Sequence, residues 1–382
     1  MGKVVILGND HTNTLGLAQS LGLAGFEVFA AVWGLETGIV RFSKFVKKVI
    51  IGHSPDECIC RIADFFANCD EKIPILCSCD SAALAVEKYA DTLIGKFVFE
   101  YAQGDKSISR LQEKNLQVEL AEEVGFHTPK SFEVENVDDI DNKLTFESPY
   151  IYKALKSVEG DKSDLTVCRS REELKTKINK TLKKTPRVLV QQYIERDYEI
   201  SILGCGLTNG ECIIPALENK LTLFPKNVGL ECLAQIVPLR DEKIINPIKA
   251  LIKKIGYVGL FSVEMMHSKS EDIFYFTEIN LRNDGAQSFI RKYGVNLPEI
   301  HVADLLGQQF SIGNKNKEGY YIWEIHHLYS LLYRDLSFCQ WVKELCKARG
   351  GLVFDIKDPL PFFRQLAYPL LTKLKIVKVR NY

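Results

Sequence analysis

At 382 residues the chain is long enough to hold two or three domains with substantial cores. Its 46% apolar and 26% charged residues are the proportions of an ordinary globular protein. Lys plus Arg and Asp plus Glu both number 49, so no global basic field exists to hold a polyanion; this argues against nucleic acid as a partner and leaves a small phosphorylated ligand open.

The N-terminus runs straight into an apolar strand, Val4–Leu7. It lacks the basic and apolar regions of a signal peptide, and no apolar run is long enough to span a bilayer. With eleven cysteines and no export signal, a cytoplasmic location is expected. Cys58-x-Cys60 and Cys77-x-Cys79 lack the two-residue gap of zinc knuckles and redox pairs, and fit buried strand or helix positions. A helix is expected over Thr14–Ala24, ended by Gly25, then strands at Glu27–Val32 and Val46–Ile51. Ser54-Pro55-Asp56 should cap a helix running to Asn68, with proline at its first position. Another strand follows at Pro74–Ser78, and Asp80 opens the next helix. This βαβ alternation predicts a parallel sheet.

After the first strand comes Gly8-Asn9-Asp10-His11-Thr12-Asn13, which is no G-x-G-x-x-G dinucleotide loop. Gly8, Asn9, Asp10 and Ser78-Cys79-Asp80 fall at the carboxyl ends of strands, where open α/β sheets gather ligands. Each serves equally well as turn or N-cap chemistry.

From Ser107 a charged helix is expected over Ile108–Val124, ending at Gly125, and Thr128-Pro129 leads into a strand-rich region. Strands are predicted at Tyr150–Ala154, Val188–Tyr193 and Glu199–Gly204. Between them a helix over Ser170–Leu182 opens on a capping box, Ser170 to Glu173. Ile244–Ile255 forms a further helix, stopped by Gly256. No internal repeat is present, and the segment from about Gly313 is rich in aromatic residues.

Several of these positions carry chemistry. Lys153 sits among apolar residues in a strand; it either lies at an edge with its head in solvent or points into a cleft to neutralise a phosphate. The polar loop after it, which includes Ser157 and Gly160, can fold its N–H groups over phosphate oxygens. The strand ending Gln191-Gln192-Tyr193-Ile194 can offer a backbone donor and acceptor beside apolar walls, as an adenine edge requires. Glu199 is spaced to accept hydrogen bonds from ribose hydroxyls.

The richest stretch is a predicted β-hairpin, Phe261–Glu264 and Phe274–Arg282 around a turn at Ser268–Asp272. Strict alternation puts Phe274, Phe276, Glu278 and Asn280 on one face. The two phenylalanines suit something flat and apolar, with Phe276 a nucleotide-contact candidate. Glu278, Asn280 and, if the register allows, Glu264 form a hard oxygen site suited to Mg²⁺ shared with phosphates, with Arg282 next to them.

Together these residues make the chain resemble the ATP-grasp superfamily, the carboxylate–amine ligases related to D-alanine–D-alanine ligase and carbamoyl phosphate synthase. Within it the chain is most similar to the D-aspartate ligase-like enzymes, a narrower likeness carried by general texture and the Asp358-Pro359-Leu360-Pro361-Phe362 segment. The resemblance implies an α/β and α+β architecture: a Rossmann-like domain over 1–105, a two-part ATP-grasp fold over 106–312 and an extension over 313–382. In the middle unit, an ATP-lid part covers about 128–195 and a metal-binding part about 196–312. It also implies that Lys114 and Lys153 bind phosphates, that Gln191 to Ile194 hold adenine and that Glu199 holds ribose. Glu264, Glu278 and Asn280 match the ligands of one or two Mg²⁺ ions, for which Mn²⁺ can substitute, and Arg282 matches the cation that steadies the transferred phosphoryl group. Two departures stand out: Gln192 replaces the usual acid of the hinge, and the phosphate loop is short of glycines.

The implied activity is ATP-dependent joining of a small-molecule carboxylate to an amine, preferably an amino acid, through an acyl phosphate, in cell-wall or surface-glycan metabolism. A homodimer is compatible with this. Asp10, Asp80 and His53 are the candidate bases. Two rivals are a non-catalytic ATP-binding sensor or scaffold and an oxidoreductase using the N-terminal sheet. The tail from Phe362 to Tyr382 holds five basic residues and no acid; a packed element with a solvated basic face is favoured over contact with an anionic membrane.

Overall fold

The computed structural model describes residues 2–34, 38–104, 106–154, 166–226, 229–313 and 317–373. Apolar runs in β1 (Lys3–Asn9), β2 (Glu27–Trp33), β4 (Ile73–Cys77) and β5 (Phe97–Phe99), with the edge strand β3 (Val46–Ile51) carrying two exposed lysines, build a five-stranded sheet, parallel throughout as expected. Its order is β3-β2-β1-β4-β5. The strand order therefore reverses between β1 and β4, which leaves a crevice at their carboxyl ends. Helices α1 (Thr12–Leu23), α2 (Pro55–Phe65), α3 (Asp80–Lys88) and α4 (Ala90–Leu93) accompany the sheet. The Ser54 hydroxyl caps α2 by accepting the Glu57 N–H at 3.2 Å, with Pro55 at the first position. By contrast His11 and Cys79, the N-cap residues of α1 and α3 beside the crevice, make no side-chain cap.

The helix expected over Ile108–Val124 is broken into α5 (Ile108–Leu111) and α6 (Lys114–Glu123). The Gln117 side chain explains the break. It donates to the Leu111 carbonyl at 2.7 Å, satisfying a group that a continuous helix would have used, and also reaches the Ile279 carbonyl at 3.0 Å. Lys114 thereby becomes the first residue of a new helix.

A four-stranded sheet follows, ordered β6-β9-β7-β8, from β6 (Ser131–Val134), β7 (Tyr150–Ala154), β8 (Thr166–Cys168) and β9 (Val188–Gln192), with α7 (Asp139–Lys143) and α8 (Arg171–Thr181). Leu174 and Ile178 of α8 share a core with Tyr150, Tyr152, Val188 and Val190. Alternation then turns Ile151, Lys153, Leu189 and Gln191 to the other side. Ser170 caps α8 as predicted, but the Glu173 carboxylate accepts the N–H of Arg169, one residue before the position a full capping box uses.

The largest sheet is antiparallel, ordered β14-β13-β10-β11-β12-β15, from β10 (Arg196–Gly206), β11 (Cys212–Phe224), β12 (Leu230–Pro238), β13 (Gly259–Ser268), β14 (Ile273–Asn280) and β15 (Gly319–Ile322). Helix α9 (Glu242–Ile255) stops where Gly256 takes φ +58°, a left-handed conformation that suits glycine. Its isoleucines pack with Ile200, Ile202, Phe261, Val263 and Met265 on one face of the sheet. On the other face, Leu203, Ala216, Ala234 and Ile236 pack with Leu17, Ala18 and Leu21 of α1 and with α10 (Gln287–Lys292) and α11 (Leu297–Leu305). β11 and β12 were not anticipated, and β15 arrives from the closing segment. Helices α12 (Glu324–Leu332), α13 (Phe338–Lys347) and α14 (Leu360–Lys373) complete the described chain.

One expectation about the hairpin is overturned. Glu264 pairs with Glu278, but Met265 pairs with Phe276, so Thr277 is an extra residue, a β-bulge. The bulge shifts the alternation by one. Phe274 and Phe276 lie on the face opposite Glu278 and Asn280, and Phe276 is buried with its ring 5.3 Å from that of Phe126. It is a core residue of the apolar face.

Candidate functional site

Three strand pairings decide what the second face of the large sheet presents. Ser201 stands opposite Glu218 on one side and Glu264 on the other, and Glu264 stands opposite Glu278. Paired residues in antiparallel strands share a face, so Glu218, Ser201, Glu264 and Glu278 form a row across four strands. Beside that row, Lys220 faces Glu199 and Asn280 faces Ser262. Asn280 donates its side-chain N–H to the Ser262 hydroxyl at 3.4 Å, which turns its carbonyl oxygen to other partners.

Cations converge on the same row. Arg282 lies with Nε 3.4 Å from Asp80 and Nη1 3.6 Å from Asp284. Burial opposes its charge, yet Asp80, Asp284, Glu278 and Glu264 together outweigh that and raise its pKa. Asp80 opens α3, so the crevice of the parallel sheet borders this face. Lys153 has its pKa lowered to about 8, first by burial and then by the charge of Lys114, with Glu278 and Glu264 pulling the other way. A lysine from β7, another from α6 and two acids from the large sheet therefore share one space. β7 lies between β9 and β8, which rules out the edge placement of Lys153. Its side chain keeps some contact with solvent; a group both wetted and surrounded by protein lines a cleft.

Lys220 places Nζ 3.3 Å from Oε2 of Glu264, its side chain only 12% exposed. Desolvation works against the ammonium, but Glu264, Glu231, Glu218 and Glu199 hold its pKa well above the ordinary value. Glu218 is itself buried. Desolvation, and then the charge of Glu231, push its pKa well up, although Lys220 and the donated hydrogen bond of the Tyr321 hydroxyl act the other way.

At the turn end of the β13–β14 hairpin lies a cavity of about 310 Å³ lined by Pro149, Gln192, Tyr193, Ile194, Glu195, Ser268, Ser270 and Glu271. It joins the end of β9 to the β13–β14 turn. The Gln192 N–H is taken by the Lys130 carbonyl at 2.8 Å and the Tyr193 N–H by that of Pro149 at 3.2 Å. Gln191 is buried in the sheet, and Glu199 forms an ion pair with Arg196 at 2.8 Å.

Residues 119–288 match the sequence model of the ATP-grasp domain. The chain carries an ATP-grasp domain. That stretch spans the end of α6, the four-stranded sheet and most of the large one. The chain is 25% identical over 321 residues to a D-aspartate ligase of Enterococcus faecium, covering 78% of this chain and 76% of that protein. It is also 25% identical over 226 residues to a carbamoyl-phosphate synthase of Methanobrevibacter smithii, covering 58% and 59%. Among solved structures, the ADP complex of N5-carboxyaminoimidazole synthetase from Staphylococcus aureus superposes with a TM-score of 0.63 at 18% identity, over 84% of this chain and 81% of that one. A biotin carboxylase complex from Campylobacter jejuni gives 0.66 at 14%, over 83% and 74%. Both structural likenesses concern the fold: the parallel sheet and the two antiparallel sheets of the ATP-grasp architecture.

Within and around the ATP-grasp domain, the structure brings Lys114, Lys153, Glu264, Glu278, Asn280 and Arg282 together. Ser157 and Gly160 lie outside the described residues, as does the tail from 374 onward. Of the three candidate bases, Asp80 meets Arg282, Asp10 is buried and accepts the Val40 N–H, and His53 is on an exposed loop. Among the described residues no three His, Cys, Asp or Glu side chains converge as a metal site; the candidate set depends on an amide oxygen. Sequence reasoning missed Lys220, Glu218, Asp284 and Tyr321. The alternation Ala216-Leu217-Glu218-Asn219-Lys220 after Ile213-Ile214 was a usable strand signal for the first two. Tyr321 depends on a long-range strand pairing that local pattern does not show.

Proposed function

We propose that this chain is an ATP- and Mg²⁺-dependent ligase that joins a carboxylate to an amine, an amino acid, through an acyl phosphate. The observation that carries the reading is the pairing of Glu264 with Glu278, whose charges act on both Lys153 and Arg282, with Lys114 also acting on Lys153. Two adjacent carboxylates and an amide oxygen are a hard donor set that fits Mg²⁺. A bound Mg²⁺ would polarise and neutralise the phosphates. Lys114 and Lys153 would hold the phosphates from the side of the lid, 128–195, against the part spanning 196–312. The cavity at Gln192, Tyr193 and Ile194 would take adenine, with Gln191 supporting it from within the sheet. Glu199 would take ribose by exchanging Arg196 for a hydroxyl. The divisions at 105/106 and 312/313 belong to the same proposal.

Phosphoryl transfer asks a protein mainly to position groups and neutralise charge. A carboxylate oxygen of the substrate attacks the γ-phosphorus in line, and ADP leaves. The amine, having lost a proton, attacks the acyl carbon and phosphate departs. Arg282 steadies the phosphoryl group in flight. The crevice between β1 and β4, a switch point of the parallel sheet, opens beside Arg282 through Asp80, which supports it as the place for the substrates. The name of the Enterococcus faecium relative, a D-aspartate ligase, supports an amino-acid substrate; the place of the reaction in cell-wall or surface-glycan metabolism is part of the same proposal.

ADP release should be measured with Mg²⁺-ATP across a grid of amino acids and small carboxylates, with Glu278→Ala as control. Release that needs one pair and falls on the order of a hundredfold in the control is the expected result. Near-normal turnover in Glu278→Ala would sink the metal assignment, and ATP binding with no ADP formed from any pair would favour a nucleotide sensor.

A further inference from the structure

Lys220 has no part in the assignments above, yet it forms an ion pair with Glu264. Its ammonium lies 3.3 Å from Oε2, with the two side chains only 12% and 27% exposed, so water screens the pair weakly. Glu199 stands directly across from it in the sheet, and Glu218 is two residues away on the same face. An ammonium at that distance takes up the lone pairs that an oxygen-seeking metal ion would need, and a divalent cation approaching Glu264 meets a like charge.

We propose that Lys220 is an internal counter-cation that holds Glu264 in the nucleotide-free protein and must be drawn off before Glu264 can take a metal ion. A lysine suits the task because it is a compact charge on a flexible four-carbon stem. Nucleotide phosphates entering the cleft supply the competing anion. Lys220 swings to them and releases Glu264, so metal and nucleotide bind as a pair. The empty protein stays weak for divalent cations although two glutamates stand side by side. Lys220 is thus a positioning residue acting through Glu264.

The inference rests on reading Glu264 as a metal ligand, and one set of titrations separates the two. Mn²⁺ is titrated into nucleotide-free protein and the free ion followed by its electron paramagnetic resonance signal. Lys220→Met should bind Mn²⁺ at least about tenfold more tightly than the parent, since one like charge at contact distance is worth that much. Lys220→Arg, which keeps the charge, should stay close to the parent, and adding Glu264→Gln to Lys220→Met should abolish the gain. Should Lys220→Met fail to fold, Lys220→Gln serves for the same measurement. Parent-like affinity in Lys220→Met, together with loss of ADP-dependent Mn²⁺ binding in Glu264→Gln, would overturn the inference and leave the metal site standing. ADP-dependent Mn²⁺ binding untouched by Glu264→Gln would overturn both.

Discussion

Lys153 holds its proton loosely for a lysine, because burial and the charge of Lys114 bring its pKa to about 8. Phosphate oxygens would pull that proton back. ADP affinity should therefore fall as pH rises through about 8, while Lys153→Arg, which stays charged, should keep its affinity to higher pH. Calorimetry in buffers of different ionisation enthalpy should show proton uptake on binding above pH 8 in the parent and none in the variant. Glu100 runs the other way. Burial raises it to about 8, and its carboxyl accepts the Cys77 N–H at 3.3 Å. Its folded pKa exceeds the unfolded value of 4.5, so between pH 4.5 and 8 the folded state keeps a proton that the unfolded chain has lost. Stability from this group is full below that window and declines as pH rises through it, by an amount on the order of a few kcal/mol. Thermal melts from pH 5 to 9 should show Glu100→Gln gaining on the parent as pH rises; parallel curves would refute this. At this scale the sequence revealed which residues carry charge, but it left open what lay across from Lys153, because alternation along a strand says nothing of the facing sheet.

The hairpin of β13 and β14 shows how far pattern reaches at the scale of an element. Whether Glu264 meets Glu278 was left to the register, whereas the turn before Ile273 was legible from the polar break between two apolar strands. The bulge was not: one extra residue leaves no mark in composition, yet it sends Phe274 and Phe276 to the opposite face. Its hydroxyl offers a test. The Thr277 oxygen is buried without a hydrogen-bond partner, so Thr277→Val should leave stability unchanged or raise it by roughly 1 kcal/mol. Deleting Thr277 should instead leave Phe276 and Glu278 as successive residues on opposite faces by plain alternation, so ADP binding should survive, as equilibrium dialysis would report. The broken helix at Gln112 and Glu113 teaches the same lesson, because a distant partner of Gln117 decided it.

Across the whole molecule, one buried carboxylate ties the closing segment to the first sheet. Asp358 accepts from Ser43 at 2.6 Å, from the Lys44 N–H at 2.9 Å and from Gln19 at 3.3 Å. Asp358→Ala would strand three donors, and urea unfolding should show a loss of about 3 kcal/mol. The parallel sheet was plain in the sequence because strands buried on both faces read as apolar runs. The dependence of the large sheet on β15 was hidden, since that pairing spans distant parts of the chain. Its consequence falls on synthesis. The five parallel strands are all synthesised by Phe99, but the outer edge of β12 waits about 80 residues past Pro238 for Gly319–Ile322 to cover it. During that interval a growing chain exposes a row of unpaired amides and carbonyls to its neighbours on the same messenger. Nascent chains halted in this window are where chaperone capture, or clumping in its absence, should concentrate.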